Sequence, residues 1–165
     1  MSTADAVTRE AAWLASYNAA DGMPALHVDQ GGPFAVVQPY RRRTPPARSN
    51  QLYVTRTGIR VERFGFNRLI AHYQFTLRIY WPLSSRAGDA ESVQQNLDDA
   101  VDLVLQRITG PLALPMDKTH GARFMSVAED PCVIDVQFPP VSTVEPNPVL
   151  EALITYAADD KDYLG

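Results

Sequence analysis

The sequence predicts an α+β fold: a mainly antiparallel sheet packed by two helices, with extended loops or hairpin arms. Three observations carry that expectation. Two segments repeat apolar residues every three to four positions, and one long segment alternates apolar and polar residues strictly. Thirteen prolines, more than the usual share, imply long irregular connections between these elements.

The first helix starts after Ser2 or Thr3, either of which can cap it, and places Val7, Ala11, Leu14 and Tyr17 on one stripe before stopping ahead of Asp21-Gly22. A short apolar run, residues 34–37, then reads as a strand leading into an Arg- and Pro-rich loop over residues 40–50, expected to be mobile. Residues 51–57 are strand-like. At Thr57-Gly58 the apolar phase shifts from Leu52 and Val54 to Ile59 and Val61, which marks a turn or a bulge.

Residues 68–81 give the clearest strand. Leu69, Ala71, Tyr73, Phe75, Leu77, Ile79 and Trp81 share one face, while Arg68, His72, Gln74, Thr76 and Arg78 share the other. At about 3.3 Å per residue it spans about 46 Å, so it should reach beyond the body of the domain and pair in part with another chain. Pro82 ends it. Asp89 can cap the second helix, in which Val93, Leu97, Val101, Val104, Leu105 and Ile108 form a stripe; Gly110-Pro111 stops it, with Arg107 near the negative end of its dipole. Two short strands follow, over residues 123–128 and 132–138, the second with Cys132, Ile134, Val136 and Phe138 on one face. After a Pro-rich connection, residues 149–157 make the last strand, and Asp159-Asp160-Lys161-Asp162 reads as a solvated tail.

The chain has 165 residues, which suits a single domain with one core. Cys132 is its only cysteine, so no intrachain disulfide forms, and a reducing compartment is expected. Neither a signal peptide nor a membrane span is expected, because the first residues have no basic flank with an apolar core and no stretch approaches about 18 apolar residues.

Catalytic and metal motifs fail on chemistry. Residues 110–119 have the outline of a phosphate loop, but Asp117 stands where glycine should precede Lys118, and the segment follows a helix. His27, His72 and His120 fall on separate elements without ligand spacing, the Asp117/His120 pair included. Cys132 lies on an apolar strand phase with nothing beside it to generate a thiolate. Asp98, Asp99 and Asp102 lie on the polar side of the second helix, where solvated acids are ordinary. The protein is expected to be no enzyme and to hold no cofactor or metal.

Charge is the informative feature. Residues 34–86 carry ten arginines, no lysine and one acid, Glu62, for a formal charge of +9, whereas the whole chain sums to -4, leaving -13 elsewhere. Arg41, Arg42, Arg43 and Arg48 sit in the loop, and Arg56, Arg60, Arg63, Arg68 and Arg78 sit on strands. Beside Tyr40, Tyr53 and Tyr73 these cations suit phosphate contact with occasional stacking, a nucleic-acid reading. A solvated sheet face with weak local pairs is the plain alternative. Exclusive use of arginine instead favours bidentate pairing with carboxylates at a protein interface, and the chain supplies the carboxylates itself. Arg41, Arg42, Arg43, Arg48, Arg56, Arg60, Arg63 and Arg78 are therefore the basic side of a predicted interface, and Asp98, Asp99, Asp102, Asp159 and Asp160 the acidic side. Head-to-tail packing of identical copies satisfies both and closes a ring where the rotation allows.

The passages YQFTLRIYWPL, AESVQQNLDDAVDLVLQRITG, DKTHGARFMSVAEDP and LEALITYAADD, in that order, resemble the tail terminator proteins of long-tailed bacteriophages infecting actinobacteria. The resemblance covers most of residues 51–160. It implies a small α+β virion protein, made in the host cytoplasm, that forms a hexameric ring on the head-proximal end of the tail tube. Such a ring ends tube polymerisation and offers a surface to the head connector. Its implied partners are copies of itself, the tail tube protein and the head-tail connector or stopper protein, with passing contact with DNA in the lumen and none with a membrane. A head-to-tail stopper of the neck and a small nucleic-acid-binding module are the competing readings.

Overall fold

The computed structural model describes residues 3–17, 19, 22–42, 48–63, 65–66, 68–83, 90–109, 125–127, 133–144 and 147–163. Among these, seven strands form one sheet with two α-helices, an α+β architecture as the patterning predicts. The strands are β1 (Val36–Pro39), β2 (Gln51–Arg63), β3 (Arg68–Pro82), β4 (Met125–Val127), β5 (Asp135–Gln137), β6 (Ser142–Val144) and β7 (Asn147–Tyr163). The order is β1-β2-β3-β7-β4, with β5 and β6 also paired to β7. Only β1 against β2 is parallel; every other pairing is antiparallel.

Helix α1 (Thr3–Ala15) buries Ala6, Val7, Ala11 and Leu14, the stripe that its spacing predicts. It stops two residues before Tyr17, which is exposed and does not continue the stripe. Helix α2 (Ala90–Thr109) buries Leu97, Ala100, Val101, Val104 and Ile108. Both helices pack on the face of β3 formed by Ala71, Tyr73, Phe75, Leu77, Ile79 and Trp81, joined by Leu52 and Val54 of β2 and by Ala152, Ile154 and Tyr156 of β7. Each large aliphatic or aromatic side chain fully buried here contributes about 1.5–3 kcal/mol. Asp89 and Gly110, expected to cap and to stop α2, lie outside the described residues.

The buried polar residues connect distant parts of the chain. Arg107, in the last turn of α2, is almost fully buried; its Nη2 donates to the Trp13 carbonyl at 2.8 Å and to Ser16 Oγ at 3.1 Å. Its guanidinium also lies 4.7 Å from the centre of the Trp13 ring. Since α1 has no basic residue in its last turn, Arg107 places the missing cation against the negative end of that helix, besides sitting near the end of its own. At the other end of the chain the Tyr156 hydroxyl donates to Glu10 Oε1 at 2.5 Å, and both side chains are buried. Burial, first, and the neighbouring Glu10 carboxylate hold the Tyr156 phenol well above its ordinary pKa.

Several expectations need correction. The first strand lies two residues later than the apolar run suggests, with Phe34 instead buried against Trp81 edge to face, ring centres 5.9 Å apart. At Thr57-Gly58 the bulge is the alternative that holds: β2 runs through it, and the register shifts between Arg56 and Gly58, so that Ile59 and Val61 fall opposite Tyr73 and Ala71. β3 does not offer an edge to another chain. It is paired along its length by β2 on one side and β7 on the other. The Pro-rich connection forms β6, which folds back on β7 with Ser142 opposite Val149. Within the strand expected over residues 132–138, only β5 pairs, and Phe138 is exposed; Cys132 lies outside the described residues.

The largest correction concerns the acidic tail. β7 extends to Tyr163, and Asp159 faces His72 of β3 as its direct cross-strand partner. Their side chains meet at 2.6 Å, His72 Nδ1 to Asp159 Oδ1, and Asp159 is only 8% exposed. Glu62 Oε2 of β2 approaches His72 Nε2 at 3.4 Å, so the histidine joins three adjacent strands between two carboxylates. A buried aspartate is tolerated here because a polar partner meets it across the sheet.

Candidate assembly interface

The residues of β3 facing away from the helices include Tyr80, Arg78, Thr76, Gln74 and His72, and the cross-strand register brings Gln51, Tyr53 and Thr55 of β2 alongside them. Near β1 this face holds a second small cluster, Tyr53, Tyr80 and Val149 with Val36 packed against it. The Tyr53 and Tyr80 rings meet edge to face at 6.0 Å. Tyr53 donates its hydroxyl to Gln51 Oε1 at 2.8 Å, and Gln51 Nε2 donates in turn to the Ser49 carbonyl at 3.0 Å. Burial raises the Tyr53 pKa against the opposing pull of Arg42, with Tyr80 adding to the rise and Arg41 also opposing it.

The arginines are arranged around this cluster. Tyr40 has φ 60°, in the left-handed region that costs a non-glycine residue about 1–3 kcal/mol, and its N–H donates to the Val54 carbonyl at 2.8 Å. The chain turns there out of β1. Arg41 then lies over the Tyr80 ring, 5.1 Å from its centre, while Arg78 Nη1 donates to the Tyr80 hydroxyl at 3.4 Å. Arg42 Nε donates to Gln38 Oε1 at 3.1 Å, and Gln38 stands opposite Tyr53. Arg56 lies over the Tyr40 ring at 5.6 Å. Arg48 is exposed just before β2.

Two of the predicted basic residues are already engaged within the chain. Arg60 pairs with Glu62, and Arg63 Nε donates to the Gly65 carbonyl at 3.1 Å in the hairpin turn. Arg43 lies outside the described residues, as do residues 44–47 of the predicted loop; Arg68 is placed only as the first residue of β3. Arg41, Arg42, Arg48, Arg56 and Arg78 form no ion pair with any carboxylate among the described residues.

The predicted acids divide likewise. Asp98, Asp99 and Asp102 are exposed on α2 and form no ion pair among the described residues. Ala90–Thr109 contains one further acid, Glu91, also exposed, and its single cation, Arg107, is committed to α1. Asp159 is held by His72 inside the sheet, so it is not a free interfacial acid, and Asp160 pairs through its backbone with Ala71 and Met125. On the sheet face away from the helices, Glu151 of β7 is the direct cross-strand partner of Tyr80, and Asp135 of β5 lies opposite Thr155, so acids border the arginine cluster on its β7 side.

His27 caps the 3-10 turn Val28–Gln30 by accepting from the Asp29 N–H at 3.1 Å, and His120 lies outside the described residues. Among the described residues no group of three His, Cys, Asp or Glu side chains could hold a metal ion, and no helix is long and apolar enough to cross a membrane.

Sequence reasoning missed Tyr80, which orients two arginines at once, and Gln38 and Gln51. The available signal was parity: Tyr80 shares the polar phase of the long strand with Arg78, so an aromatic there had to have a purpose outside the main core. Tyr53 and Tyr73, proposed as stacking platforms, are buried, and Tyr73 lies on the helix-covered face with its ring stacked on Phe75 at 5.7 Å. No protein-family model matches this chain, and no curated protein matches it.

Proposed function

We propose that this chain is a structural subunit of a bacteriophage tail, assembling with copies of itself into a ring, six-membered as the resemblance implies, that caps the head-proximal end of the tail tube. The ring ends tube polymerisation and joins the tail to the head connector or stopper protein. The observation that carries this reading is a pair of charged surfaces that find no ion-pair partner among the described residues, the arginines beside β1 and the acids of α2. Because the two surfaces differ, association through them is heterologous, the kind that generates rings or filaments. The α+β fold agrees with what the resemblance implies. A nucleic-acid module has less support, since the tyrosines beside the arginines are buried or covered by guanidinium groups instead of open for base stacking.

The test combines sedimentation of the purified protein at low and high salt with negative-stain imaging of tails assembled without it. Rings that weaken as salt rises, and overlong tubes in its absence, are the expected results. A protein that remains monomeric at every concentration, with tubes of normal length in its absence, overturns the proposal.

A further inference from the structure

Resting on the ring reading above, we infer that the arginine cluster around Tyr80 is the socket for helix α2 of a second copy, with Asp98, Asp99 and Asp102 of that copy as the groups it receives. Tyr80 prearranges the socket. Its ring lies under Arg41 and its hydroxyl accepts from Arg78, while Gln38, on β1 beyond the intervening β2, holds Arg42. A guanidinium stacked on a ring keeps its in-plane N–H groups at the edge, available for two parallel bonds to a carboxylate. Prior restraint by Tyr80 and Gln38 lowers the ordering cost of binding.

The acids fit such a socket in spacing as well as in sign. Asp98 and Asp102 are one helical turn apart, about 6 Å, on the same side of α2, with Asp99 beside them. All three are exposed, and no cation of this chain neutralises them among the described residues. Glu91 extends the same charge toward the start of the helix, whereas Arg107 is turned inward to α1. The socket cannot receive its own α2, because that helix packs against the opposite face of the sheet. A second copy satisfies both surfaces, and each added copy leaves one socket and one helix open until the ring closes.

A charge-swap experiment on the full chain tests this. One variant carries Arg41→Glu and Arg42→Glu; the other carries Asp98→Lys, Asp99→Lys and Asp102→Lys. All five positions are exposed, and circular dichroism checks that each variant folds. Each alone should associate at least about 30-fold more weakly than wild type, since each presents two surfaces of like sign. Mixed in equal amounts, they should associate again, because the basic helix of one now meets the acidic socket of the other. Should either swap fail to fold, Arg41→Gln with Arg42→Gln, and Asp98→Asn with Asp102→Asn, replace it; each should weaken association and make it less sensitive to salt.

Swapped variants that associate as well as wild type, or folded variants whose mixture stays apart while wild type forms rings, would overturn the socket and leave the ring reading standing. Wild type that never associates overturns the socket, and overturns the ring reading as well when tubes made without it have normal length. Wild type that binds a short DNA duplex through Arg41 and Arg42, with self-association untouched by their replacement, assigns the cluster to nucleic acid and overturns the socket as well.

Discussion

Replacing Tyr156 by Phe removes one oxygen from the interior and nothing else. The ring keeps its packing against Phe75, 5.8 Å away, and the fully buried Glu10 loses the donor at 2.5 Å. Leaving a buried acceptor without that donor costs about 1–3 kcal/mol. For a domain of this size each kcal/mol lowers Tm by about 2–4 °C, so the expected fall is about 2–12 °C. The change also has a signature in pH. The folded-state pKa of Tyr156 lies well above the ordinary 10.0 because burial and Glu10 oppose the phenolate. A group whose folded pKa is raised contributes stability that is fully present below its unfolded pKa and is lost as pH rises through the folded one. Wild type should therefore lose stability above about pH 10 by this route, whereas Tyr156→Phe should lack that part of the slope. Thermal melts of both proteins between neutral pH and pH 11 measure the two effects together. Equal Tm values at neutral pH, or parallel alkaline slopes, would refute the reasoning.

Other parts of the structure give shorter predictions. Arg107→Met should destabilise by about 1.5–3 kcal/mol by withdrawing the charged donor from the Trp13 carbonyl and Ser16, and should shift the Trp13 fluorescence; an unchanged spectrum would deny the contact. A double-mutant cycle of His72→Ala and Asp159→Ala, read by chemical denaturation, should give a coupling of about 0.5–3 kcal/mol, against near zero if the two merely lie side by side. Gly32→Ala should cost about 3 kcal/mol or more, because an added Cβ collides with the backbone of Leu26; expression of a stable variant would count against the loop geometry.

Periodicity made the helices and the long strand legible, because burial on one face repeats every 3.6 or every two residues. Val7, Ala11 and Leu14, and the odd positions of β3, were found this way. What stayed hidden was pairing. Nothing local reveals that β3 is central, because the alternation of a strand is the same whether its neighbours belong to its own chain or another. The charges of Asp159, Asp160, Lys161 and Asp162 disguised the end of β7, although Ala152, Ile154, Tyr156 and Ala158 already set a parity that Asp159, opposite His72, continues on the polar side. The candidate interface was legible as composition and not as geometry. Arg60 and Glu62 are near neighbours in sequence, yet only the strand shows that they pair, and only the sheet shows Tyr80 beneath Arg41.

The position of β7 bears on how the molecule comes into being. During synthesis β3 emerges with β2 and can form a hairpin at once, but its other edge waits for a strand that begins about 65 residues later, at Asn147. Until then a row of backbone donors and acceptors on β3 is open to any neighbouring chain, and Glu10 of α1 has yet to meet Tyr156. The pairing of β7 thus determines when β3 stops being a template for misassociation.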